Sequence, residues 1–240
     1  MIGQSGMRLP EVVKNLIIIN VIMYIVAMIF PEMNNMFAMY PIMSEHFRPY
    51  QIVTHMFMHS QYSITHIFFN MFALYMFGRD VEWRMGAKRF LLFYIITGLG
   101  AVFLHQLAGY IEFQYALEGL DPAVRDQFLE EGTYNRNISP DVRDQLQYAY
   151  DIMNVPAVGA SGAIYGVLAA FGALFPNRMI MLLIPPIPMK AKYFVLIMGG
   201  LALYMGFSGQ QAGVAHFAHL GGALFGYLMI WYWKKSGKLY

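Results

Sequence analysis

The sequence predicts an all-α, polytopic membrane protein, folded as a single domain over residues 1–240 with six transmembrane helices. Hydrophobic residues make up 58% of the chain and charged residues only 12%, whereas about a quarter of the residues in a typical soluble domain are charged. The mean hydropathy is +0.45. Six mostly apolar segments approach the length of about 20 residues that a helix needs to cross a bilayer. These segments are residues 12–30, 56–77, 90–111, 157–175, 193–207 and 214–233.

The segments are separated by residues that disfavour a continuous buried helix. Pro31 follows the first segment, and the charged run 78–89 separates the second from the third. The stretch 176–188 begins and ends with proline, and the stretch 208–213 is polar and contains two glycines. We interpret the first segment as a retained helix rather than a removable signal peptide, because no small-residue cleavage site precedes its end.

Charge and composition exclude several classes of function. The 16 Lys and Arg residues nearly balance the 14 Asp and Glu residues, so there is no basic field for a nucleic-acid partner. The chain has no cysteine, which excludes disulfides, zinc thiolate sites, iron–sulfur clusters and a thiol nucleophile. His55 and His59 are four residues apart, but no carboxylate shares their face to complete a metal site. We therefore expect no metal, no cofactor and no nucleic acid, and a lipid bilayer as the surroundings.

The distribution of positive charge predicts the orientation. Six spans place both termini on one side, and 12 of the 16 Lys and Arg residues fall on that side. Because cytoplasmic loops are enriched in Lys and Arg, both termini are expected in the cytoplasm. The four remaining cations lie in the first and third loops, namely Arg48, Arg125, Arg136 and Arg143.

The third loop, residues 112–156, is expected to carry two short amphipathic helices. Asp121 and Ser139 each precede a proline, the pattern of an N-cap followed by proline at the first helical position. Gly132 is expected to end the first helix. The pattern leaves open whether this loop is solvated or lies on the outer leaflet. Residues that recur every four positions are expected to form the apolar face of the second helix, namely Val142, Leu146 and Tyr150.

Four of the polar side chains within the apolar segments stand out, because polar groups within a bilayer are costly and usually functional. His66 and Asn70 are four residues apart on the second segment, so they share one helix face. Ser161 lies near the start of the fourth segment and His219 near the start of the sixth. With both termini in the cytoplasm, these three segments run inward from the outer side. All four side chains are therefore expected in the outer half of the bilayer.

The fourth segment is too short to cross the bilayer as a helix beginning at Ser161. A helix from Ser161 to Phe175 is about 22 Å long, whereas the hydrocarbon core is about 30 Å thick. Ser161 is therefore expected below the outer surface, with the non-helical backbone above it lining a water-filled cavity. The free N–H groups at the start of this helix favour a developing oxyanion.

Glycine spacing predicts which helices meet. Gly162 and Gly166 on the fourth segment, like Gly222 and Gly226 on the sixth, form small-xxx-small pairs that let backbones approach closely. Such a contact would bring the Ser161 hydroxyl to the His219 ring, which activates a serine as a nucleophile. His66 and Asn70 would then be donors to the oxyanion. Each residue taken alone also fits a structural role, because serine often packs against the preceding turn and histidine can be a satisfied core residue.

Three motifs follow one another along the chain: His-Ile-Phe-Phe-Asn at 66–70, Gly-Ala-Ser-Gly at 159–162 and Ala-His-Leu-Gly-Gly at 218–222. In this combination they resemble the signature of the rhomboid family of intramembrane serine proteases, over about residues 47–232. The resemblance implies a rhomboid-like fold and an endopeptidase that cuts transmembrane proteins within or near their membrane-spanning helix, without metal or cofactor.

The resemblance also implies a role for each residue of the motifs. Ser161 corresponds to the nucleophile and His219 to the general base of a Ser-His dyad. His66, Asn70 and the backbone N–H of Ser161 correspond to the oxyanion hole. The supporting residues are Gly159, Gly222 and Tyr165, whose ring is expected to pack against His219.

The chain departs from the family pattern at two places. Phe47-Arg48 stands where a Trp-Arg pair is frequent, and the third loop is longer than in minimal bacterial members. The main alternative is a non-catalytic rhomboid-like protein that binds membrane helices, although such a protein would be expected to lack Ser161 or His219. A proton-coupled transporter is a further alternative, but the chain lacks two related halves. The expected location is a bacterial inner membrane, with the active site opening to the outer side and an organellar membrane left open.

Overall fold

A computed structural model of the chain describes residues 9–134, 138–181, 186–208 and 216–239. Within these ranges the chain forms eleven α-helices and one antiparallel pair of short strands. The helices are α1 (Glu11–Ile29), α2 (Glu32–Phe37), α3 (Gln51–Thr54), α4 (Ile64–Ala73), α5 (Arg79–Met85), α6 (Ala87–Leu117), α7 (Pro122–Glu131), α8 (Pro140–Asn154), α9 (Ser161–Leu174), α10 (Ala191–Ser208) and α11 (His216–Lys235). The strands are β1 (Met179–Met181) and β2 (Pro188–Lys190).

Three helices in the described ranges are long and apolar enough to cross a membrane, namely α1, α6 and α10. Helix α9 is also apolar but has only 14 residues. Large apolar side chains on α1 and α10 point outward, including Ile22, Leu196 and Phe207. Their exposure fits contact with lipid, so the chain is a membrane-embedded helical protein.

The second predicted segment, residues 56–77, begins too early. Residues His55–Phe57 form a 3-10 turn, and helix α4 begins only at Ile64. Met56 and Met58 are nevertheless buried. Their apolarity therefore reflects burial inside the protein rather than membership of a helix that faces lipid.

The same segment is expected to end before the charged run 78–89, but the helix continues through the first part of this run, to Met85. A π-helical turn, Leu74–Gly78, joins α4 to α5, and the acidic residues of α5 have partners. Asp80 pairs with Arg178 at 2.8 Å, and the Glu82 carboxylate accepts from the first N–H groups of α1. The helix stops at Gly86, whose φ of 81° favours glycine.

The other predicted segments agree more closely with the observed helices. Helices α1 and α10 differ from residues 12–30 and 193–207 by one or two residues at each end. The fourth segment, 157–175, starts too early, because α9 begins at Ser161 as the length argument required. The sixth segment, 214–233, continues to Lys235, and its first two residues lie outside the described ranges.

Helices α6, α9 and α11 form the packed centre of the protein, and glycines set their separation. A Cβ added to Gly222 on α11 would lie 1.8 Å from the carbonyl oxygen of Gly162 on α9. One added to Gly226 would lie 2.7 Å from the backbone of Gly166. On the side of α6, a Cβ on Gly162 would lie 2.5 Å from that of Ala101. The predicted glycine pairs are therefore confirmed as the contact between α9 and α11.

Helix α9 is fixed at its C-terminal end. Lys234 Nζ donates to the Ala173 carbonyl oxygen at 2.7 Å, which satisfies an acceptor left free at the helix end. Arg178, just beyond the helix, forms the ion pair with Asp80 on α5. These contacts set the position of Ser161, which begins the helix about 21 Å away along its axis.

A helical insertion packs on the far end of α6. Helix α6 continues to Leu117, so the loop predicted to start at residue 112 starts six residues later. Helices α7 and α8 cover the last turns of α6 and form a hydrophobic cluster separate from the packed centre. We call this the insertion cluster; its buried members include Phe113, Leu117, Phe128, Leu146 and Ala149.

The predicted N-cap at Asp121 is confirmed. The predicted N-cap at Ser139 is confirmed in its position before the helix, but not in its side-chain hydrogen bond. Asp121 Oδ1 accepts from the Ala123 N–H at 2.9 Å, and α7 ends at Gly132 with φ of 65°. Ser139 precedes α8, but its side chain forms no capping hydrogen bond.

The expected apolar face of α8 is wrong at one residue. Leu146 is fully buried and Val142 is half-buried, but Tyr150 is exposed. Ala149 takes the inward position instead. An α-helix has 3.6 residues per turn, so a strict four-residue repeat drifts away from the buried side.

Candidate active site

The structure brings Ser161 and His219 together. Ser161 is the first residue of α9, and His219 lies in the first turn of α11. The Ser161 Oγ and His219 Nε2 atoms are 2.8 Å apart, within hydrogen-bond distance. Both side chains are half-buried. Among the described residues, no carboxylate forms an ion pair with His219. We refer to these two side chains as the dyad.

Packing fixes the orientation of the imidazole. The Tyr165 ring lies one turn along α9 and stacks on His219, with centroids 4.3 Å apart and planes 3° from parallel. The contact between Gly162 and Gly222 lies next to the dyad on both helices. Since neither glycine has a side chain, nothing separates the two helices at this depth.

His66 approaches the serine through Gly159. A Cβ added to Gly159 would lie 2.9 Å from His66 Nε2 and 3.6 Å from Ser161 Oγ, so both atoms face the same side of this residue. The Gly159 φ of 129° is itself unfavourable for other residues. The Ser60 N–H donates to His66 Nδ1 at 3.3 Å. In the neutral ring the proton therefore lies on Nε2, which makes this atom a donor on the side of Gly159 that Ser161 Oγ also faces.

Asn70 joins this group through His66. It is buried on the same face of α4, and its Nδ2 donates to the His66 carbonyl oxygen at 2.8 Å. An amide nitrogen carries two hydrogens, so the second remains for another acceptor.

The segment before Ser161 is held in an extended conformation. Met39 and Ala157 exchange two backbone hydrogen bonds of 2.9 Å. The Gly159 N–H donates to the His55 carbonyl oxygen at 3.0 Å. The loop between α1 and α4 is thus attached directly to the segment that leads to Ser161.

Gln51 organises this loop, although it is not among the candidate site residues predicted from the sequence. Its side chain is buried and accepts from the backbone N–H of Arg48 at 3.0 Å. It also donates to the His46 and Met36 carbonyl oxygens, and its own carbonyl accepts from His55 Nδ1. A single glutamine in a mixed stretch gives no periodic signal, so no sequence pattern pointed to it.

The remaining histidines of the site are buried. His55 Nδ1 donates to the Gln51 carbonyl oxygen at 2.9 Å, and the His55 carbonyl oxygen accepts from the Gly159 N–H. The His59 ring is fully buried 5.1 Å from that of His66. His216 lies edge-on to His219 at 6.2 Å. Within the described residues, no group of three or more His, Cys, Asp or Glu side chains is arranged to hold a metal ion.

Comparison with known proteins identifies the family of the chain. The family model described as Rhomboid domain matches residues 46–116 and 138–236. The chain therefore belongs to the rhomboid family. The part between the two matched regions includes the whole of α7.

The chain is also similar to two curated proteins. The chain is 28% identical to the rhomboid protease AarA of Providencia stuartii over 168 residues, which is 69% of this chain and 50% of the relative. It is 38% identical to the mitochondrial Rhomboid protein 1 of Saccharomyces cerevisiae over 82 residues, which is 34% of this chain and 23% of the relative. The chain thus matches half or less of the length of each.

Proposed function

We propose that the chain is an intramembrane serine endopeptidase that cleaves transmembrane segments of membrane proteins with a dyad of Ser161 and His219. The observation that carries this proposal is the 2.8 Å contact between Ser161 Oγ and His219 Nε2 at the start of α9. Membership of the rhomboid family and similarity to a protein named as a rhomboid protease support it.

The geometry suggests the following chemistry. Ser161 Oγ attacks the scissile carbonyl carbon while His219 Nε2 accepts the hydroxyl proton and later delivers it to the leaving amine. Water then attacks the acyl-enzyme with His219 again as the base, which releases the second product and restores the serine. The stacked Tyr165 ring keeps the imidazole in line with Oγ during both proton transfers.

The oxyanion that forms in each step has three proposed donors. His66 Nε2 faces the serine side of Gly159, and Asn70 shares its helix face. The third is the Ser161 N–H, which belongs to the free N–H groups at the start of α9. Preorganised donors of this kind commonly supply the largest single contribution to acyl transfer.

The proposal includes six spans and an orientation. The spans would be α1, the continuous α4 to α5 helix, α6, α9, α10 and α11, within one domain covering residues 1–240. The cationic end, which carries Arg178, Lys234 and Lys235, would face the cytoplasm of a bacterium under the positive-inside rule. Ser161 would then open to the outer side. A fusion reporter of membrane topology at each terminus tests this arrangement.

The decisive test is the removal of either dyad member. We expect Ser161→Ala and His219→Ala to abolish cleavage of a single-span model substrate in liposomes. A fluorophosphonate probe should label the purified wild-type protein and leave Ser161→Ala unlabelled, while Ser236→Ala, at an exposed serine, labels normally. Labelling that persists in Ser161→Ala contradicts the proposal and favours a non-catalytic membrane-helix-binding protein.

Asn70 offers a graded test of the oxyanion hole. We expect Asn70→Ala to slow the rate constant of cleavage by roughly ten- to a thousand-fold, as for loss of one donor, with little change in KM. A cleavage rate equal to that of the wild type would show that Asn70 is not a donor to the oxyanion.

A further inference from the structure

A groove of about 670 Å³ lies between the last turns of α6 and helix α7, away from the dyad. Tyr110 and Tyr115 on α6 and Leu129 on α7 line it, and their exposed fractions are 52%, 69% and 52%. Contiguous apolar side chains that remain exposed commonly mark an interaction surface. The volume is within the range of about 300–1,000 Å³ that is usual for binding sites.

The length of α6 places this groove at the membrane surface. With 31 residues, α6 is about 46 Å long, so about 16 Å extends beyond a core of about 30 Å. In the proposed orientation, Lys88 and Arg89 mark the inner headgroup region. The hydrocarbon core then ends about 20 residues later, near Tyr110. The groove therefore begins at the outer membrane surface and continues outward to Tyr115 and Leu129.

The charge of the insertion limits what the groove can hold. Residues 112–156 contain nine acidic residues and three arginines. In the groove, Arg125 pairs with Asp126 at 3.0 Å, so the net charge of its lining comes from Glu118. A second copy of this chain would bring another acidic insertion to the same place, and an anionic lipid headgroup would also be repelled.

We propose that the groove binds the outer juxtamembrane segment of a membrane-protein partner, in which basic residues alternate with large apolar ones. A chain that leaves the bilayer meets the groove at the level of Tyr110, where apolar side chains can bury against the aromatic lining. Its cations then face the acidic insertion. That this partner is a substrate rests on the proposed function, and α7, which forms one wall, lies outside the regions matched by the family model.

The groove is connected to the candidate active site by a short segment. Helix α8 ends at Asn154, and six residues lead from there to Ser161. The insertion cluster fastens α7 and α8 to the same end of α6. A segment held in the groove therefore stays attached to the membrane surface beside the outer opening of the site.

Binding can be measured without cleavage, in the full chain carrying Ser161→Ala and embedded in nanodiscs. The probes are three fluorescent single-span peptides that differ only in their outer segment, which alternates Lys and Leu, Glu and Leu, or Gly and Ser. We expect the Lys-Leu peptide to bind about three- to tenfold more tightly than either of the others. Equal affinity for all three overturns the proposal.

Paired variants locate the preference in the groove. Glu118→Lys with Asp126→Lys should reverse the preference between the Lys-Leu and Glu-Leu peptides. Asp141→Lys with Asp144→Lys makes the same change of charge at exposed positions on α8, outside the groove, and should leave the preference in place. If the α8 pair also reverses the preference, the effect comes from the total charge of the insertion rather than from the groove, and the proposal fails.

The apolar part of the site has its own variant. Tyr115→Ala with Leu129→Ala should weaken binding of the Lys-Leu peptide about tenfold and leave binding of the Gly-Ser peptide unchanged.

If these changes instead dissociate a dimer measured by light scattering, the groove binds a second copy of the chain and the proposal fails. If the Lys-Leu peptide is preferred but no cleavage depends on Ser161, the groove proposal stands and the proposed peptidase function fails. If Ser161-dependent cleavage occurs but no peptide is preferred, the proposed function stands and the groove proposal fails.

Discussion

The packed centre and the insertion cluster hold helices together in different ways. In the centre, the backbones of Gly162 and Gly222 touch with no side chain between them. In the insertion, Phe113, Phe128 and Leu146 bury large side chains between helices. In lipid, apolar burial gives little drive for association, so close van der Waals packing takes its place. In the proposed arrangement the insertion lies outside the membrane, where removal of apolar surface from water stabilises the packing. Each region should therefore fail under a different kind of substitution.

Adding one methyl group should break the centre. We expect Gly222→Ala to reduce cleavage more than about 100-fold, because its Cβ would lie 1.8 Å from the Gly162 carbonyl oxygen and separate the dyad. Gly199→Ala is the matched control, since no atom lies within 4 Å of the added Cβ. The measurement is the initial cleavage rate in liposomes. Activity of Gly222→Ala near that of Gly199→Ala would show that the two helices need no such approach.

Removing a large side chain should break the insertion and spare the centre. Phe128 is buried, and we expect Phe128→Ala to cost the insertion about 3–5 kcal/mol of stability. Hydrogen exchange of residues 122–154 should then accelerate, whereas fluorophosphonate labelling of Ser161 persists. Tyr148→Ala, at an exposed position on α8, should leave exchange unchanged. Unchanged exchange in Phe128→Ala would contradict the account of the cluster.

The two N-caps of the insertion give the smallest contrast. Asp121→Ala should destabilise α7 by about 1 kcal/mol, because it removes the hydrogen bond to the Ala123 N–H. Ser139→Ala should have less effect on α8, because the serine side chain makes no such bond. Site-resolved hydrogen exchange measures both. Equal effects would mean that the Asp121 contact contributes no stability.

Much of the centre was predictable because its determinants are local in sequence. Glycine pairs four residues apart predict the contact between α9 and α11. The length of the apolar run from Ser161 predicts where α9 begins. The contact of Ser161 with His219 followed from these two facts. The catalytic roles of these residues stay a prediction.

What was missed depends on contacts between distant residues. The charged run 78–89 predicts a break directly after residue 77, but the helix continues to Met85 before it stops at Gly86. In the folded chain the acidic residues of this part have partners in Arg178 and the start of α1. Met56 and Met58 looked like part of a span, but they are buried outside any long helix. The role of Gln51 could not be predicted for the same reason, because its hydrogen bonds join residues that no periodic sequence pattern relates.

The short connection between α8 and α9 limits how far any movement of the insertion can carry its last residue. Seven peptide units join Asn154 to Ser161, and fully stretched they reach about 25 Å. A fluorophore at Asn154 would consequently stay within energy-transfer range of a quencher bound covalently to Ser161, whatever angle the insertion adopts. Spectroscopy at this pair of positions would report rotation of the insertion while the protein is working.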